Sequence, residues 1–192
     1  MDIHGVRLPK FQIQEDYLEL IDNPEKVKNT YDFLIALCQK GFKKLDVKRG
    51  TEKHKKYVDR IYYELEILKD LGFVDYILLV WKVIHFCNVS DIPVGLGRGS
   101  AAGSFVLYLL GVTKIDSVKY DLFFERFVSK IRAKKKVVDG VTYLDGSLMC
   151  DIDMDVCYYR RKDVLKYLEE EFQGKTSKIR TLNTLSGKLV MK

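Results

Sequence analysis

The chain has 192 residues, of which 47% are hydrophobic and 31% charged, a composition that favours one globular domain and excludes a disordered tail or a fibre. Its net charge of +6 is compatible with a polyanionic partner without requiring one. No uncharged stretch approaches the roughly 20 residues that span a bilayer, and Met1–Gly5 lacks the start of a secretory signal, so membrane and exported proteins are excluded as first interpretations. The four cysteines include no CxxC pair, which disfavours a zinc ribbon, and we expect a reduced, cytoplasmic setting.

The first ninety residues have helical periodicity. We expect an irregular arm over residues 1–15 and a helical region over residues 16–90. Within that region, apolar side chains recur every three or four positions over 16–42 and again over Tyr57–Leu71. Gly72 follows the second of these helices at once and is typical of a helix C-cap.

Four more elements are predicted further along the chain. A helix over Tyr76–Cys87 is apolar on most sides and therefore buried. A short extended piece at Asp91–Val94 leads through a glycine-rich turn into a helix over Ala101–Leu110. Near the end, a helix is predicted over Arg160–Phe172.

Between the last two helices the pattern changes to that of strands. Two Asp-Gly pairs between Val137 and Gly146 are a strong hairpin signal. Residues 148–156 alternate between apolar and acidic, which predicts one strand with two different faces. The fold class expected from this order is α+β, with helices in front and mixed structure over residues 91–192.

The first motif with chemical potential is the glycine-rich segment Gly95–Ser104, here called the Gly-Ser turn. Glycines let backbone N–H groups approach phosphate oxygens, and the N-terminus of the following helix adds a positive dipole. No Lys-Ser or Lys-Thr pair ends the segment, so it is not a Walker loop, and its spacing misses the dinucleotide fingerprint. A tight turn with close helix packing explains the same residues equally well.

The second motif is the run Asp151–Asp155, here called the aspartate segment. In a strand, Asp151, Asp153 and Asp155 point the same way, so their mutual repulsion calls for a cation. Two divalent ions about 3.5–4 Å apart are what a phosphoryl-transfer site would hold there, and carboxylates suit Mg²⁺. The alternative is an edge strand whose acidic face is simply solvated.

Two basic features accompany these motifs. Arg126 lies in the aromatic stretch Tyr120–Phe127 and is a candidate phosphate ligand, because a guanidinium group can bind oxyanions bidentately. Just before the hairpin comes a run without acids that could bind a nucleic-acid backbone, although a solvated loop is an equally good explanation. Its five positive residues are Lys130, Arg132, Lys134, Lys135 and Lys136.

A Gly-Ser turn that opens a helix, followed by an Asp-x-Asp strand, is the order of motifs in nucleotidyltransferases. The chain resembles the C family of bacterial replicative DNA polymerases over nearly its whole length. The resemblance is carried by Ile92–Ser104, Phe124–Phe127 and the aspartate segment. Cys150 stands where the family has proline, and Val156 where it has phenylalanine. The basic hairpin at 130–146 is longer than the family's usual connector, so the resemblance implies no role for it.

The resemblance implies a helical region (16–90) that leads into a nucleotidyltransferase-like, polymerase beta-like palm, incomplete within residues 91–192. It also implies template-directed transfer of deoxynucleotides from dNTP to a primer 3′-hydroxyl. Asp151 and Asp153 would be the catalytic carboxylates and, with Asp155 as a further ligand, would bind two Mg²⁺ ions. Primer-template DNA would be the second substrate.

For the nucleotide, the resemblance implies that Gly99 and Ser100 hold the triphosphate. Arg98 and Arg126 are the expected charge partners of its phosphates.

A further catalytic carboxylate is expected from a later strand in this family. After Asp155 the acids are Asp163 and Glu169–Glu171, and all of them fall in a helical pattern. We therefore expect a second polypeptide that supplies the rest of the polymerase, and a chain that is inactive alone. Two rival functions stay open: a stand-alone nucleotidyltransferase acting on RNA ends or small molecules, and a non-catalytic nucleic-acid-binding subunit.

Overall fold

The computed structural model describes residues 9–128, 150–173, 176 and 177, together with the backbone of 135–138 and 141–144. Helices dominate this part of the chain. Its α-helices are α1 (Glu15–Leu18), α2 (Thr30–Lys43), α3 (Glu52–Asp70), α4 (Val74–Val89), α5 (Phe105–Leu109) and α6 (Arg161–Glu171). Short 3-10 helices lie at Pro24–Lys26, Gly99–Gly103, Phe124–Arg126 and Tyr158–Arg160, and the strands are β1 (Lys135–Val138) and β2 (Val141–Leu144). None of the helices described is long and apolar enough to cross a membrane.

The helical stretch predicted over 16–42 is divided into two helices. Pro24 opens the 3-10 helix between α1 and α2, where a residue without a backbone N–H costs nothing. The side chain of Asn29 then caps α2 by accepting a hydrogen bond of 2.9 Å from the Asp32 amide. Upstream, residues 9–14 are irregular as expected, but Phe11 is buried and stacks on Phe33 at 6.0 Å. The described end of the arm is therefore part of the core.

The predicted helix over Tyr57–Leu71 is confirmed as α3, which begins earlier at Glu52. Thr51 caps its start by accepting a hydrogen bond from the His54 amide. Gly72, with φ +74°, ends it, and the amide of Phe73 donates to the Leu68 carbonyl at 2.9 Å. This is the left-handed C-terminal turn that favours glycine.

The helix predicted over Tyr76–Cys87 is confirmed as α4 and is buried on most sides. Ile77, Leu78 and Ile84 have at most 1% of their surface exposed. One apolar cluster joins α2, α3, α4 and α5 and extends to Cys150 at the start of the aspartate segment. The core thus runs directly under the two motifs.

The prediction of a helix over Ala101–Leu110 is wrong in its start. Residues Gly99–Gly103 form a 3-10 helix, the chain becomes extended at Ser104, and α5 begins only at Phe105. Ser104 caps α5 by accepting a hydrogen bond from the Leu107 amide at 3.2 Å. The glycine-rich sequence favours a tight 3-10 turn. This turn ends at Ser104, because Ser104 is the N-cap of α5.

The strand predicted over 148–156 is much shorter in the described residues. Of residues 150–156, Val156 alone pairs, in an isolated antiparallel bridge with Val94 of the predicted extended piece. The alternation is nevertheless present, because Asp151, Asp153 and Asp155 are exposed while the residues between them are half-buried.

The predicted hairpin is confirmed in the backbone. Strands β1 and β2 pair antiparallel with Val138 opposite Val141, which leaves Asp139 and Gly140 as the two residues between them. Within the described backbone this pair and the Val94–Val156 bridge are the β-structure, so an α+β palm stays a prediction. The helix predicted over Arg160–Phe172 is confirmed as α6.

Candidate functional site

The Gly-Ser turn and the aspartate segment, which are separated by 46 residues in sequence, lie side by side. The Gly95 amide donates a hydrogen bond of 2.8 Å to the Asp155 carbonyl, and the Cys157 amide donates one of 3.0 Å to the Pro93 carbonyl. A Cβ at Gly95 would lie 2.9 Å from the Asp155 Cβ, so only glycine allows the two backbones to approach this closely.

Arg98 lies between two of the three aspartates. Its Nη2 is 3.7 Å from Asp153 Oδ1, and its Nε is 3.5 Å from Asp155 Oδ1. The three side chains are 60%, 53% and 59% exposed, so each pair contributes at most about 1 kcal/mol to stability. The carboxylates of Asp153 and Asp155 thus face one shared cation, the guanidinium of Arg98.

Asp151 is separate from this pair. Within the described chain, Arg98 forms ion pairs with Asp153 and Asp155 but not with Asp151. Asp151 follows Cys150, whose carbonyl accepts a 3.0 Å hydrogen bond from the hydroxyl of Tyr76 on α4. Burial, together with the negative charge of Asp151, raises the pKa of Tyr76 to about 12. The Tyr76 hydroxyl therefore stays a hydrogen-bond donor at neutral pH and anchors the segment to the core.

Gly99, the residue after Arg98, lies close to Asp153. Its φ is +66°, and a Cβ at this position would lie 3.6 Å from Asp153 Oδ2. Ser100 follows it within the 3-10 helix, where no side-chain cap is formed, and the helix-capping serine is Ser104. The helix predicted over Ala101–Leu110 would place Ser100 at a helix N-terminus, but Ser100 is the second residue of the five-residue 3-10 helix and α5 begins only at Phe105.

The donor set suits a hard cation, although no complete metal site is assembled. Among the described residues, no three His, Cys, Asp or Glu side chains form a cluster that could hold a metal ion. The guanidinium of Arg98 nevertheless shows that Asp153 and Asp155 can serve one cation together. Mg²⁺ typically uses one or two carboxylates and takes its other oxygens from phosphates and water. The residues fit one such ion with its nucleotide.

Arg126 is exposed in its 3-10 helix and, in the described chain, forms no ion pair with the aspartate segment. Of the aromatic stretch around it, Phe124 and Phe127 are buried, while Tyr120 and Phe123 are exposed. The hydroxyl of Tyr63 donates a hydrogen bond to Glu125, which lowers the pKa of that carboxyl. Of the basic run, Lys130, Arg132 and Lys134 lie outside the described residues, and Lys135 and Lys136 are described in backbone only.

An open cleft of about 460 Å³ borders the shared-cation position. Tyr158, 82% exposed, stands at its edge. The other residues that line it are Arg98, Met154, Asp155, Val156, Arg161, Val164 and Leu165. Two arginines and an aspartate thus share a surface large enough for a polar ligand.

Sequence reasoning missed a buried ion pair behind the Gly-Ser turn. Glu64 on α3 is fully buried and accepts hydrogen bonds from Ser104, Phe105 and Val106, and Arg60 pairs with it at 2.6 Å. Burial raises the pKa of the Glu64 carboxyl, while the hydrogen bonds from the two amides and from Arg60 oppose the rise. In the sequence, Arg60 and Glu64 show only the i,i+4 spacing that an exposed ion pair would have as well.

Comparisons with known proteins show the family of this chain. A family model described as the bacterial DNA polymerase III alpha NTPase domain matches residues 32–192. The chain is 36% identical to DNA polymerase III subunit alpha of Borreliella burgdorferi, over 98% of this chain and 14% of that protein. For the subunit of Helicobacter pylori (strain 26695) the identity is 38% over 81% of this chain and 12% of that protein, and for that of Aquifex aeolicus 33% over 96% and 14%. The chain spans about one-seventh of the length of these relatives. It belongs to the family of bacterial DNA polymerase III alpha subunits.

Proposed function

We propose that this chain forms part of the nucleotide and metal site of a replicative DNA polymerase, which transfers deoxynucleotides from dNTP to a primer 3′-hydroxyl. The observation that carries the proposal is that Asp153 and Asp155 converge on one cation, Arg98 of the Gly-Ser turn, while Gly99 of the same turn lies next to Asp153. A solvated acidic edge would not require a glycine backbone packed against it. Membership of the polymerase family supplies the reaction.

In this proposal the three aspartates bind Mg²⁺, with Asp151 and Asp153 as the catalytic carboxylates and Asp155 completing the ligand set. Bound Mg²⁺ would polarise the phosphate and lower the pKa of the attacking hydroxyl. Gly99 and Ser100 present backbone N–H groups to the triphosphate. Arg98, which pairs with Asp153 and Asp155 here, would be a charge partner of the phosphates.

DNA is the second proposed substrate. The phosphate backbone of primer-template DNA would be contacted by the basic run that leads into strand β1 of the hairpin, namely Lys130, Arg132, Lys134, Lys135 and Lys136. Arg126 would assist in binding the nucleotide. The further carboxylate and the surface for the nascent base pair would come from polymerase parts outside these residues, whether in the same or in a second polypeptide. Within the described chain, the later acids Asp163 and Glu171 already pair with Arg160 and Lys82.

The metal half of the proposal is tested by titrating the chain with Mn²⁺, as a paramagnetic substitute for Mg²⁺, and following the bound fraction by EPR. We expect Asp155→Asn to weaken binding about tenfold, because one carboxylate of the pair that faces Arg98 is lost. We expect Arg98→Gln to strengthen it several-fold, because a competing cation is removed. Asp163→Asn, an exposed aspartate on α6, is the matched control.

Equal Mn²⁺ affinity in wild type, Asp155→Asn and Arg98→Gln would contradict the shared-cation site. It would favour the rival function of a non-catalytic nucleic-acid-binding subunit, in which the acidic residues are merely solvated.

The nucleotide half is tested at Gly99. We expect Gly99→Ala to weaken binding of dATP in the presence of Mg²⁺ about tenfold, or ~1.4 kcal/mol. The new Cβ would stand beside the Asp153 carboxylate, where the phosphate approaches. Isothermal titration calorimetry measures the affinity.

Gly50→Ala controls for backbone strain in this experiment. Gly50 also has a positive φ, +80°, and a Cβ there would meet nothing within 4 Å. Both alanines cost roughly 1 kcal/mol of stability through the left-handed conformation. A Gly99→Ala variant that binds dATP as tightly as Gly50→Ala would show that the turn is purely structural.

A further inference from the structure

The inference concerns the buried carboxylate of Glu64 on α3. Glu64 has no exposed surface, and besides Arg60 its partners are three hydrogen-bond donors at the start of α5. The amides of Phe105 and Val106 donate at 2.9 and 3.0 Å, and the Ser104 hydroxyl donates at 2.8 Å. An uncompensated buried charge is very costly, so this carboxylate is stable only while α5 begins at this place.

Arg60, one turn earlier on α3, extends the same connection to two backbone carbonyls. Its Nε donates to Glu64 at 2.6 Å, and its Nη2 donates to the carbonyls of Gly103 at 2.7 Å and Leu122 at 2.9 Å. Leu122 precedes the 3-10 helix that carries Arg126. The planar guanidinium therefore joins the end of the Gly-Ser turn to the next candidate nucleotide ligand.

The location of these bonds separates them from ordinary core packing. Gly103 packs closely against the backbone of Phe123, since a Cβ at Gly103 would lie 2.6 Å from the Phe123 carbonyl oxygen. The other end of the same short 3-10 helix is Gly99, beside Asp153. Gly99 and Gly103 are the two ends of one five-residue 3-10 helix, so a shift of the backbone at Gly103 also moves Gly99 relative to Asp153.

We propose that Arg60 and Glu64 are positioning residues that hold the Gly-Ser turn in register with the aspartate segment for nucleotide binding. This inference rests on the proposed function. Neither residue touches the nucleotide; both act through the backbone at Gly103 and Ser104. The pair gives the polymerase site a rigid support from a helix outside the two motifs.

The test compares Glu64→Gln with wild type in two measurements on the chain: native-state hydrogen exchange and dATP affinity in the presence of Mg²⁺. Glutamine keeps the shape but replaces one acceptor oxygen with a donor, which faces amides that also donate. We expect exchange to rise at least tenfold at residues 99–106 but not in α4, and dATP affinity to fall about tenfold. Ser104→Ala removes only one hydroxyl and is the milder second variant if Glu64→Gln does not fold.

Two controls keep general destabilisation apart from positioning. Lys56 lies on α3, like Arg60 and Glu64, and forms an exposed ion pair with Asp121. Lys56→Gln removes this pair, and we expect both measurements to stay at wild-type values. Ile84→Val loosens the core of α4, where Ile84 is 1% exposed, and we expect raised exchange in α4 without loss of dATP affinity.

The outcomes separate this inference from the proposed function. Local exchange at 99–106 with weakened dATP binding supports the positioning role. If Glu64→Gln raises hydrogen exchange uniformly, or raises it only at residues 99–106 while dATP affinity is unchanged, the positioning role is overturned. The Arg60–Glu64 ion pair would then be purely structural. A wild-type chain that binds no dATP at all overturns the proposed nucleotide site, and with it the role of the pair in nucleotide binding.

Discussion

Replacing Asp153 with asparagine is expected to reduce nucleotide incorporation at least about 10³-fold, since a metal ligand's contribution to transition-state charge stabilisation amounts to several kcal/mol. Asp153 faces both the shared cation and Gly99, so it contacts the two halves of the proposed site. An amide carries no charge and binds Mg²⁺ more weakly than a carboxylate. Primer extension by the complete polymerase carrying the substitution, with dNTP and Mg²⁺, measures the effect.

The fold should be unaffected by this change. The Asp153 side chain is 53% exposed, and its loss removes both an attraction to Arg98 and a repulsion from Asp155. We expect the thermal midpoint of Asp153→Asn to lie within experimental error of wild type. Asp163→Asn should keep full primer extension. Normal incorporation by Asp153→Asn would remove this residue from the catalytic site.

Substitution of Gly41 by alanine is expected to cause the largest loss of stability, about 3 kcal/mol. Gly41 lies in α2 (Thr30–Lys43), where it contacts α5 so closely that a Cβ would lie 2.2 Å from the Leu109 carbonyl oxygen. The obstacle is backbone, which a rotamer change cannot move. Urea unfolding followed by circular dichroism gives the free energy of unfolding.

Helix propensity alone predicts the opposite sign for this variant. Glycine in a helix interior is normally about 0.5–1 kcal/mol less stable than alanine. Gln39→Ala, at an exposed position of α2, should change stability by no more than about 0.5 kcal/mol and serves as the control. A Gly41→Ala protein more stable than wild type would show that α2 and α5 can separate without cost.

The local elements were predictable because their signals are local. Apolar periodicity identified α3, α4 and α6, and the two Asp-Gly pairs identified the hairpin of β1 and β2. The helix at Ala101–Leu110 was predicted too early, because the sequence does not show that Ser104 would act as a cap. Nor does it show how far a strand at 148–156 finds a partner, which depends on neighbours distant in sequence.

The candidate site divides in the same way between sequence and tertiary structure. The sequence by itself determined the motifs, and the resemblance of the glycine-rich turn and the triple aspartate, taken together, to the motifs of the polymerase family indicated that family. Only the tertiary structure decided that Asp153 and Asp155, rather than Asp151, share Arg98. It alone revealed Glu64 beneath the turn, because burial and hydrogen bonding depend on how helices pack, and an i,i+4 ion pair looks the same in sequence whether it faces water or the core.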